Sequence, residues 1–522
     1  MEEEAAPLMT KRQKMTVAAT GLGIFMVFTD VNIVNVALPS IQEAFTTGEE
    51  GIQWVVAGYS LGMVAMLMST ASLGDRYGRR RGFLAGVTVF TVSSALCALA
   101  TSLTALTALR VVQGVGAAFV TSLSLALLSA AFPDPKEKTK AIAAWMAVGM
   151  VGASAAPTLG GVLVQFFDWG SVFAVNVPVG AAVIVLTVIY VTESRDPQAP
   201  RLDWSGQVTF IPAVALLALA IIQAPRAGWT SAAIWAALLG ASACMGLFVH
   251  FERRTAVPLI DLSLFGDPVY RSALVVYFLV MSCFFGVLIL TTQYLQDVHD
   301  FSPLLAGMLI FPVPVAFGSA SLLAGAAVNK WGPRRPTLAC LGAVIAGLLV
   351  TAAGLGSMLP VVVAGLALFG AGSGGCATPL LVLGMTHVPQ HRAGMAAGLV
   401  NLQRSMGSIF GVAFLGSILA AWLSLSLPGS LTAYVPDRAV RQAVASAIID
   451  SANPHAHPAF IGPGRPLKHL LPGQARAIVR AADEDFIGGI RIALGTAVVL
   501  LAGAFALSWR RFPTQGRADS ES

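Results

Sequence analysis

The stretch Gly74-Asp75-Arg76-Tyr77-Gly78-Arg79-Arg80-Arg81, GDRYGRRR, sets five charges between two long apolar runs. A looser copy, NKWGPRR, stands at Asn329 to Arg335. Aligned on Gly78 and Gly332, each copy has a carboxylate or amide three residues before the glycine and a cation two before it. Arginines follow two and three after. Basicity alone is commonplace in short loops of membrane proteins. A glycine and a polar acceptor in the same register, twice, point to a repeated unit around the turn.

Of the 522 residues, 56% are hydrophobic and 11% charged, against about 25% charged in an ordinary soluble domain. Such a chain is a membrane protein. Apolar runs of roughly twenty residues, the length that crosses hydrocarbon as a helix, lie near 17–38, 52–73, 83–102, 105–131, 140–165, 172–192 and 206–224. Seven more lie near 231–250, 270–296, 303–328, 336–356, 360–386, 395–424 and 488–509. The expected fold is all-α with 14 transmembrane helices. If the seventh and eighth runs are an insertion, the run before Asn329 becomes the second of a second set of six, and the two basic turns become equivalent. The expected organisation is a six-helix bundle over 1–193, an inserted pair over 203–252, and a second six-helix bundle over 268–509 with a loop at 425–487. Parallel repeats of six spans are a recurrent transporter plan, with the substrate site between halves.

Lys and Arg beside span ends are retained on the cytoplasmic side during insertion. One set of alternate loops holds Lys11, Arg12, Lys14, Arg76, Arg79 to Arg81, Lys136, Lys138, Lys140, Arg253, Arg254, Lys330, Arg334, Arg335, Arg510 and Arg511. The opposite short loops hold Arg226. Both termini are therefore expected in the cytoplasm. The loop 425–487 is long enough to escape the charge rule and falls outside. The net charge of +6 follows from this bias and does not call for nucleic acid, which needs a basic face on a soluble domain.

Cys97, Cys244, Cys283, Cys340 and Cys376 all fall in apolar runs, so no disulfide framework is implied. PHAHP at Pro454 to Pro458 has two histidines and no further ligand cluster, a poor metal site. GSGGCATP, Gly372 to Pro379, lacks the lysine of a nucleotide cradle. No cofactor or metal is expected. Nor do nucleophile, base and ligand types converge within the spans as an enzyme would need.

Ionisable side chains inside spans cost roughly 2.5–3.5 kcal/mol each on insertion scales and usually line a pathway. Asp30 lies past the middle of the first span, Arg110 near one end of the fourth, and Arg404 early in the thirteenth. The first and fourth spans run antiparallel, which leaves Asp30 and Arg110 offset by roughly 6 Å along the axis. An arginine covers that distance. Polar residues that could line the same cavity are Asn32, Asn35, Tyr59, Gln113, Gln293, Tyr294, Asn401 and Gln403. In the fifth span Gly152, Ala156 and Gly160 recur every four residues, a smooth stripe for close helix packing. Pro157 beside it removes a backbone donor and bends the helix.

Several stretches resemble one known family. ASLGDRYGRRRGFL is similar to the loop 2–3 motif of the major facilitator superfamily, and LTALRVVQGVGAA, Leu106 to Ala118, to its span-four motif. GASAAPTLGG, Gly152 to Gly161, resembles the antiporter motif of span five, with Ala156 where glycine is usual. TDVNIVNVALP, Thr29 to Pro39, resembles the span-one signature of the fourteen-span drug:proton antiporter branch, the EmrB/QacA type. DWGSVFAVNVPVG matches a further motif but has Gly170 and Ser171 where arginine and tryptophan are common.

The resemblance implies two six-helix bundles that rock about a shared cavity, and proton-coupled multidrug or antibiotic efflux across a bacterial cytoplasmic membrane. The embedded charges make Asp30 and Arg110 the expected proton-coupling pair, and the resemblance implies a conformational latch of Asp75, Arg76, Gly78, Arg79, Arg80, Asn329, Lys330, Gly332 and Arg334. Gly152, Ala156, Pro157, Gly160 and Gly161 form the antiporter motif. The polar residues above, with Arg404, become candidates for the substrate cavity. Expected partners are protons, membrane lipid and a small amphiphilic substrate, neutral or singly charged, handled by a monomer. One proton entering across ~100 mV supplies about 2.3 kcal/mol, too little to carry a dication well. A dedicated exporter of a lipid or an endogenous metabolite is the alternative on the same fold.

Overall fold

Helix starts are written into the sequence as capping residues ahead of apolar runs. Thr10 and Gln13 form a capping box at the head of α1 (Lys11–Ala44). Ser102 accepts a hydrogen bond from the Ala105 amide at the head of α4 (Leu103–Ala131). Asp267 does the same for Val269 and Tyr270, with Pro268 at the first turn of α9 (Pro268–Val298). The computed structural model describes residues 9–195, 203–255, 258, 260–386, 393–435, 438–451 and 472–513.

The other long helices are α2 (Glu49–Tyr77), α3 (Arg79–Ala98), α5 (Pro135–Phe166), α6 (Ser171–Tyr190), α7 (Trp204–Ala227) and α8 (Ala232–Glu252). After α9 come α10 (Pro303–Ile310 continued by Pro312–Trp331), α11 (Arg334–Gly354), α12 (Leu359–Thr386), α13 (Ala393–Ser430) and α14 (Pro472–Arg511). Each expected span falls on one of them. Among the described residues 13 helices are long and apolar enough to cross a bilayer, by length and composition; α2, 29 residues long, takes the second expected span. The described residues hold no strand.

Three local features depart from plain helices. The α6 span is interrupted at Val175, just before Asn176. The α10 span breaks at Phe311, ahead of Pro312. The last turn of α9, Tyr294–Val298, is π-helical. The connection expected over 425–487 also shrinks, because α13 runs on to Ser430 and α14 starts at Pro472. Charged residues in AADEDF end the apolar run but are compatible with helix, and alanine favours it. A separate helix, Arg438–Ser451, occupies part of this connection; the PHAHP segment lies outside the described residues.

Packing repeats with a shift of eight helices. α1 packs on α4, α5 and α6, α2 on α4, and α3 on α4 and α6. Likewise α9 packs on α12, α13 and α14, α10 on α12, and α11 on α12 and α14. The two sets meet through α2 with α13 and α5 with α10. α7 packs on α8, α2 and α13.

Some crossings tolerate nothing larger than glycine. A Cβ on Gly114 of α4 would run into the Tyr59 carbonyl of α2, and one on Gly62 of α2 into the Val111 carbonyl of α4. Eight helices on, a Cβ on Gly374 of α12 would meet the Phe317 carbonyl of α10. Lipid tails supply no hydrophobic drive between helices, so such backbone approach is how they gain packing energy.

Candidate functional site

Asp30 of α1 is fully buried and three side chains donate to it. Arg110 Nη1 donates to Asp30 Oδ2 at 2.6 Å. Gln113 Nε2, one turn along α4, donates to Asp30 Oδ1 at 2.8 Å, and Asn176 Nδ2 of α6 donates to the same oxygen at 3.0 Å. Gln113 Oε1 in turn accepts from Arg110 Nη1 at 2.7 Å. Ser94 of α3 accepts from Gln113 and Asn176 and donates to the Phe173 carbonyl at 2.9 Å. Two further helices of the first set, α4 and α6, thus bond one carboxylate of α1, and Ser94 of α3 ties their amides together.

The arginine is held from its faces as well. The Arg110 guanidinium lies 4.4 Å from the Tyr59 ring centroid and 5.6 Å from that of Phe173, where ring quadrupoles attract a cation. Its Nε donates to the Val55 carbonyl at 3.4 Å. A buried charge pair survives only when its remaining donors and acceptors are largely met; here both Asp30 oxygens and the Arg110 Nε and Nη1 have partners.

Arg110 also forms part of the wall of a narrow cleft between the two helix sets. Asn35, Tyr59 and Ser60 line it from the first set, and Phe285, Ser408 and Val412 from the second. Ser60 donates to Ser408 Oγ across the seam at 3.2 Å. The buried Tyr59 hydroxyl has no hydrogen-bond partner among the described residues. Asp30 is thus sealed behind Arg110, one side chain away from the cleft.

The other expected cavity residues divide. Asn35 and Tyr59 line the cleft, whereas Gln113 belongs to the Asp30 network. Asn32 is turned back to its own helix, donating to the Phe28 carbonyl at 2.8 Å. Gln293 is fully buried and does not line the described cleft. Tyr294 is a structural tie: its hydroxyl accepts from the Gly356 amide at 2.9 Å and faces His299 Nε2 at 2.9 Å. Partial burial holds the His299 imidazole below its ordinary value, which favours the neutral ring. Gln403 and Arg404 are half-buried, and the Arg404 guanidinium sits 5.2 Å from the Phe28 ring centroid across the seam. The Asn401 side chain lies outside the described residues.

The α5 motif faces two partners. A Cβ on Gly152 would stand 2.7 Å from the Phe25 carbonyl and from Thr29 Oγ1, and one on Gly160 2.8 Å from Ile33 Cγ1. Those residues belong to α1 on both sides of Asp30; Ala156, fully buried, lies between the two glycines. Gly161 instead meets α10, where a Cβ would come within 2.5 Å of the Pro303 carbonyl. The Pro157 carbonyl faces Gly307 of α10. One short stretch of α5 therefore touches both the carboxylate helix and the opposite helix set.

The two basic turns hold their own bundles. Asp75 Oδ1 accepts from Arg79 Nε at 2.6 Å within the same turn, and among the described residues it forms no ion pair across the seam. Arg80 donates to the Thr187 and Val188 carbonyls at the end of α6, at 3.2 and 2.6 Å. Its counterpart Arg334 donates to the Trp509 carbonyl at the end of α14, at 2.7 Å. Arg76 and Lys330 each lie beside the aromatic ring next in sequence, Tyr77 and Trp331; the Asn329 side chain lies outside the described residues.

Glu193 completes the first turn. It accepts from the Arg80 and Arg81 amides at 3.0 and 3.2 Å, which places a carboxylate at the positive end of α3. Gly78 has φ +114° and Gly332 φ +70°, regions costly for a residue with a Cβ. A Cβ on Gly78 would also stand 2.8 Å from the Glu193 carboxyl, whereas Gly332 has open space. Gly78→Ala should therefore destabilise by about 2 kcal/mol and Gly332→Ala by less. Thermal unfolding of the two purified variants in one detergent checks this order.

Asn176, Ser94 and Glu193 were not singled out from the sequence. Asn176 does stand in the quoted DWGSVFAVNVPVG stretch, and Pro178, two residues on, was the available signal of a helix break there.

Known proteins resemble this chain over most of its length. Residues 20–412 match the Major Facilitator Superfamily. Over 506 residues, covering 97% of this chain and 99% of the relative, the chain is 60% identical to Drug efflux pump JefA of Mycobacterium tuberculosis. It is 47% identical to Multidrug resistance protein Stp of the same organism, over 97% of this chain and 93% of that one. Among solved structures, a bacterial homologue of the human lysosomal transporter Spinster, inward-facing and unoccupied, superposes with a TM-score of 0.63 at 16% identity, covering 97% of this chain and 100% of that one. A match over most of its length, and relatives this near, establish that the chain belongs to the Major Facilitator Superfamily, in its drug-efflux branch.

Proposed function

We propose that the protein is a proton-coupled exporter of small amphiphilic compounds, a multidrug or antibiotic antiporter working by alternating access. The observation that carries this reading is the placement of Asp30: a buried carboxylate whose main counter-charge, Arg110, forms part of the wall of the cleft between the helix sets. A carboxyl deprived of a cationic partner in a low-dielectric site favours its proton, and one given such a partner favours the charge. Movement of Arg110 toward a substrate would therefore let Asp30 take up a proton, and its return would release one. The names of the relatives at 60% and 47% identity support the efflux direction.

In this reading residues 1–193 and 268–509 act as two bundles, with the pair 203–252 inserted, in a bacterial cytoplasmic membrane with both termini inside. The repeated packing and the paired arginine anchors, Arg80 on α6 and Arg334 on α14, support the two-bundle division. The basic turns Asp75 to Arg80 and Asn329 to Arg334 serve as latches that set the balance of the two states. The α5 stripe from Gly152 to Gly161 transmits movement from α1 to α10. Substrates are neutral or singly charged, since one proton across ~100 mV supplies about 2.3 kcal/mol.

Proteoliposomes holding the purified protein and given an imposed pH gradient test the reading. A gradient of the inward-proton sense should drive accumulation of an amphiphilic dye opposite to proton flow, and a protonophore should abolish it. Dye movement insensitive to both would reject proton coupling.

A further inference from the structure

Arg404 takes no part in the network around Asp30, yet it stands on the face of α13 that carries two residues of the cleft wall. Ser408 and Val412, one and two turns further along α13, line that cleft, so the helical period puts Arg404 on the same stripe. Phe28, under the Arg404 guanidinium at 5.2 Å, stands on α1 one turn before the lining residue Val31. Arg404 is half-buried, with its guanidinium over the Phe28 ring.

Charge balance then favours one kind of ligand. The described residues form three ion pairs, Arg79 with Asp75, Arg81 with Glu193 and Arg110 with Asp30; none includes Arg404. Asp30 is already engaged by Arg110, Gln113 and Asn176. The Phe28 ring face offers the Arg404 guanidinium only a quadrupole. With Asp30 ionised the cleft therefore has a surplus positive charge, and a second one once Asp30 takes a proton. A planar guanidinium meets a carboxylate or sulfonate through two parallel hydrogen bonds, while Tyr59, Phe28 and Phe285 offer apolar and aromatic surface for a ring system.

We infer that Arg404 selects singly charged anionic aromatic amphiphiles, which bind in the cleft with their acid group on its guanidinium. This rests on the efflux reading and narrows its substrate class. Export of such an anion against an entering proton moves both charges in the direction the membrane potential favours.

Equilibrium binding in lipid nanodiscs tests it without any proton gradient, so failure of coupling and failure of this assignment are distinguishable. The probes are anilinonaphthalene sulfonate, uncharged phenylnaphthylamine and a trimethylnaphthylammonium cation. The sulfonate should bind about tenfold tighter than the neutral probe. Arg404→Gln should remove that preference and leave the neutral probe within about twofold; Arg404→Lys should keep most of it. The inference is overturned if the three probes bind alike, if the cation binds tightest, or if Arg404→Gln leaves sulfonate affinity unchanged. If Arg404→Gln loses all binding, Arg404→Lys decides: a retained sulfonate preference supports the assignment and a lost one overturns it.

Discussion

Asp30→Asn should abolish pH-driven efflux, with a loss of at least about a hundredfold in initial rate, while substrate counterflow persists within a few-fold. A loss of that size corresponds to about 2.7 kcal/mol, well within what one buried charge can supply. Asparagine keeps the size of aspartate and can still accept from Gln113 or Asn176, but it carries neither the charge nor the exchangeable proton. Arg110 would lose its ion partner at 2.6 Å, and the gradient would lose its point of attachment. Proteoliposome transport, run once with a pH gradient and once with equal pH and excess internal substrate, separates the two. Efflux that still follows the pH gradient in Asp30→Asn would place the coupling elsewhere.

Gly114→Val should be the most damaging single change to folding. At this crossing a Cβ would strike the Tyr59 carbonyl and stand 2.9 Å from the Met63 amide nitrogen. Neither is a flexible side-chain end, so α2 and α4 must part. Overpacking of a tight core costs typically 1–3 kcal/mol and sometimes more, and here it is backbone that must give; about 3 kcal/mol is expected. The neighbouring Gln113 and the Tyr59 ring over Arg110 would move with the helices, so surviving protein should also transport poorly. Yield and thermal unfolding of the purified variant, beside Gly495→Val, where a Cβ meets nothing within 4 Å, measure the effect. Equal stability of the two would refute the crossing.

The spans and the central ion pair were legible because charge inside an apolar run is rare and conspicuous. A helical rise and opposed directions put Asp30 and Arg110 at nearly one depth; that their helices are neighbours is not in the local pattern and shows in the packing of α1 on α4. Asn176 was not legible as a member of their network, because an amide near a span end reads as an interfacial residue, and the break at Val175 that presents it is marked only indirectly, by Pro178, whose missing N–H leaves the Ala174 carbonyl without its helical partner. Glu193 escaped notice for another reason. Its role depends on the end of α6 lying beside the head of α3, a long-range fact that local pattern does not encode. The extra turns of α14 were hidden by charged residues, which close a hydropathy window without closing a helix.

The inserted pair does more than lengthen the chain. Gln207 of α7 donates to the Ala65 carbonyl of α2 at 3.0 Å, and the Ser417 hydroxyl of α13 donates to the Ile221 carbonyl of α7 at 3.0 Å. α7 is thereby stitched to both edges of one of the two flanks along which the bundles meet. That flank is thus braced from outside by a further helix, whereas among the described residues α7 makes no comparable packing on the flank where α5 and α10 adjoin.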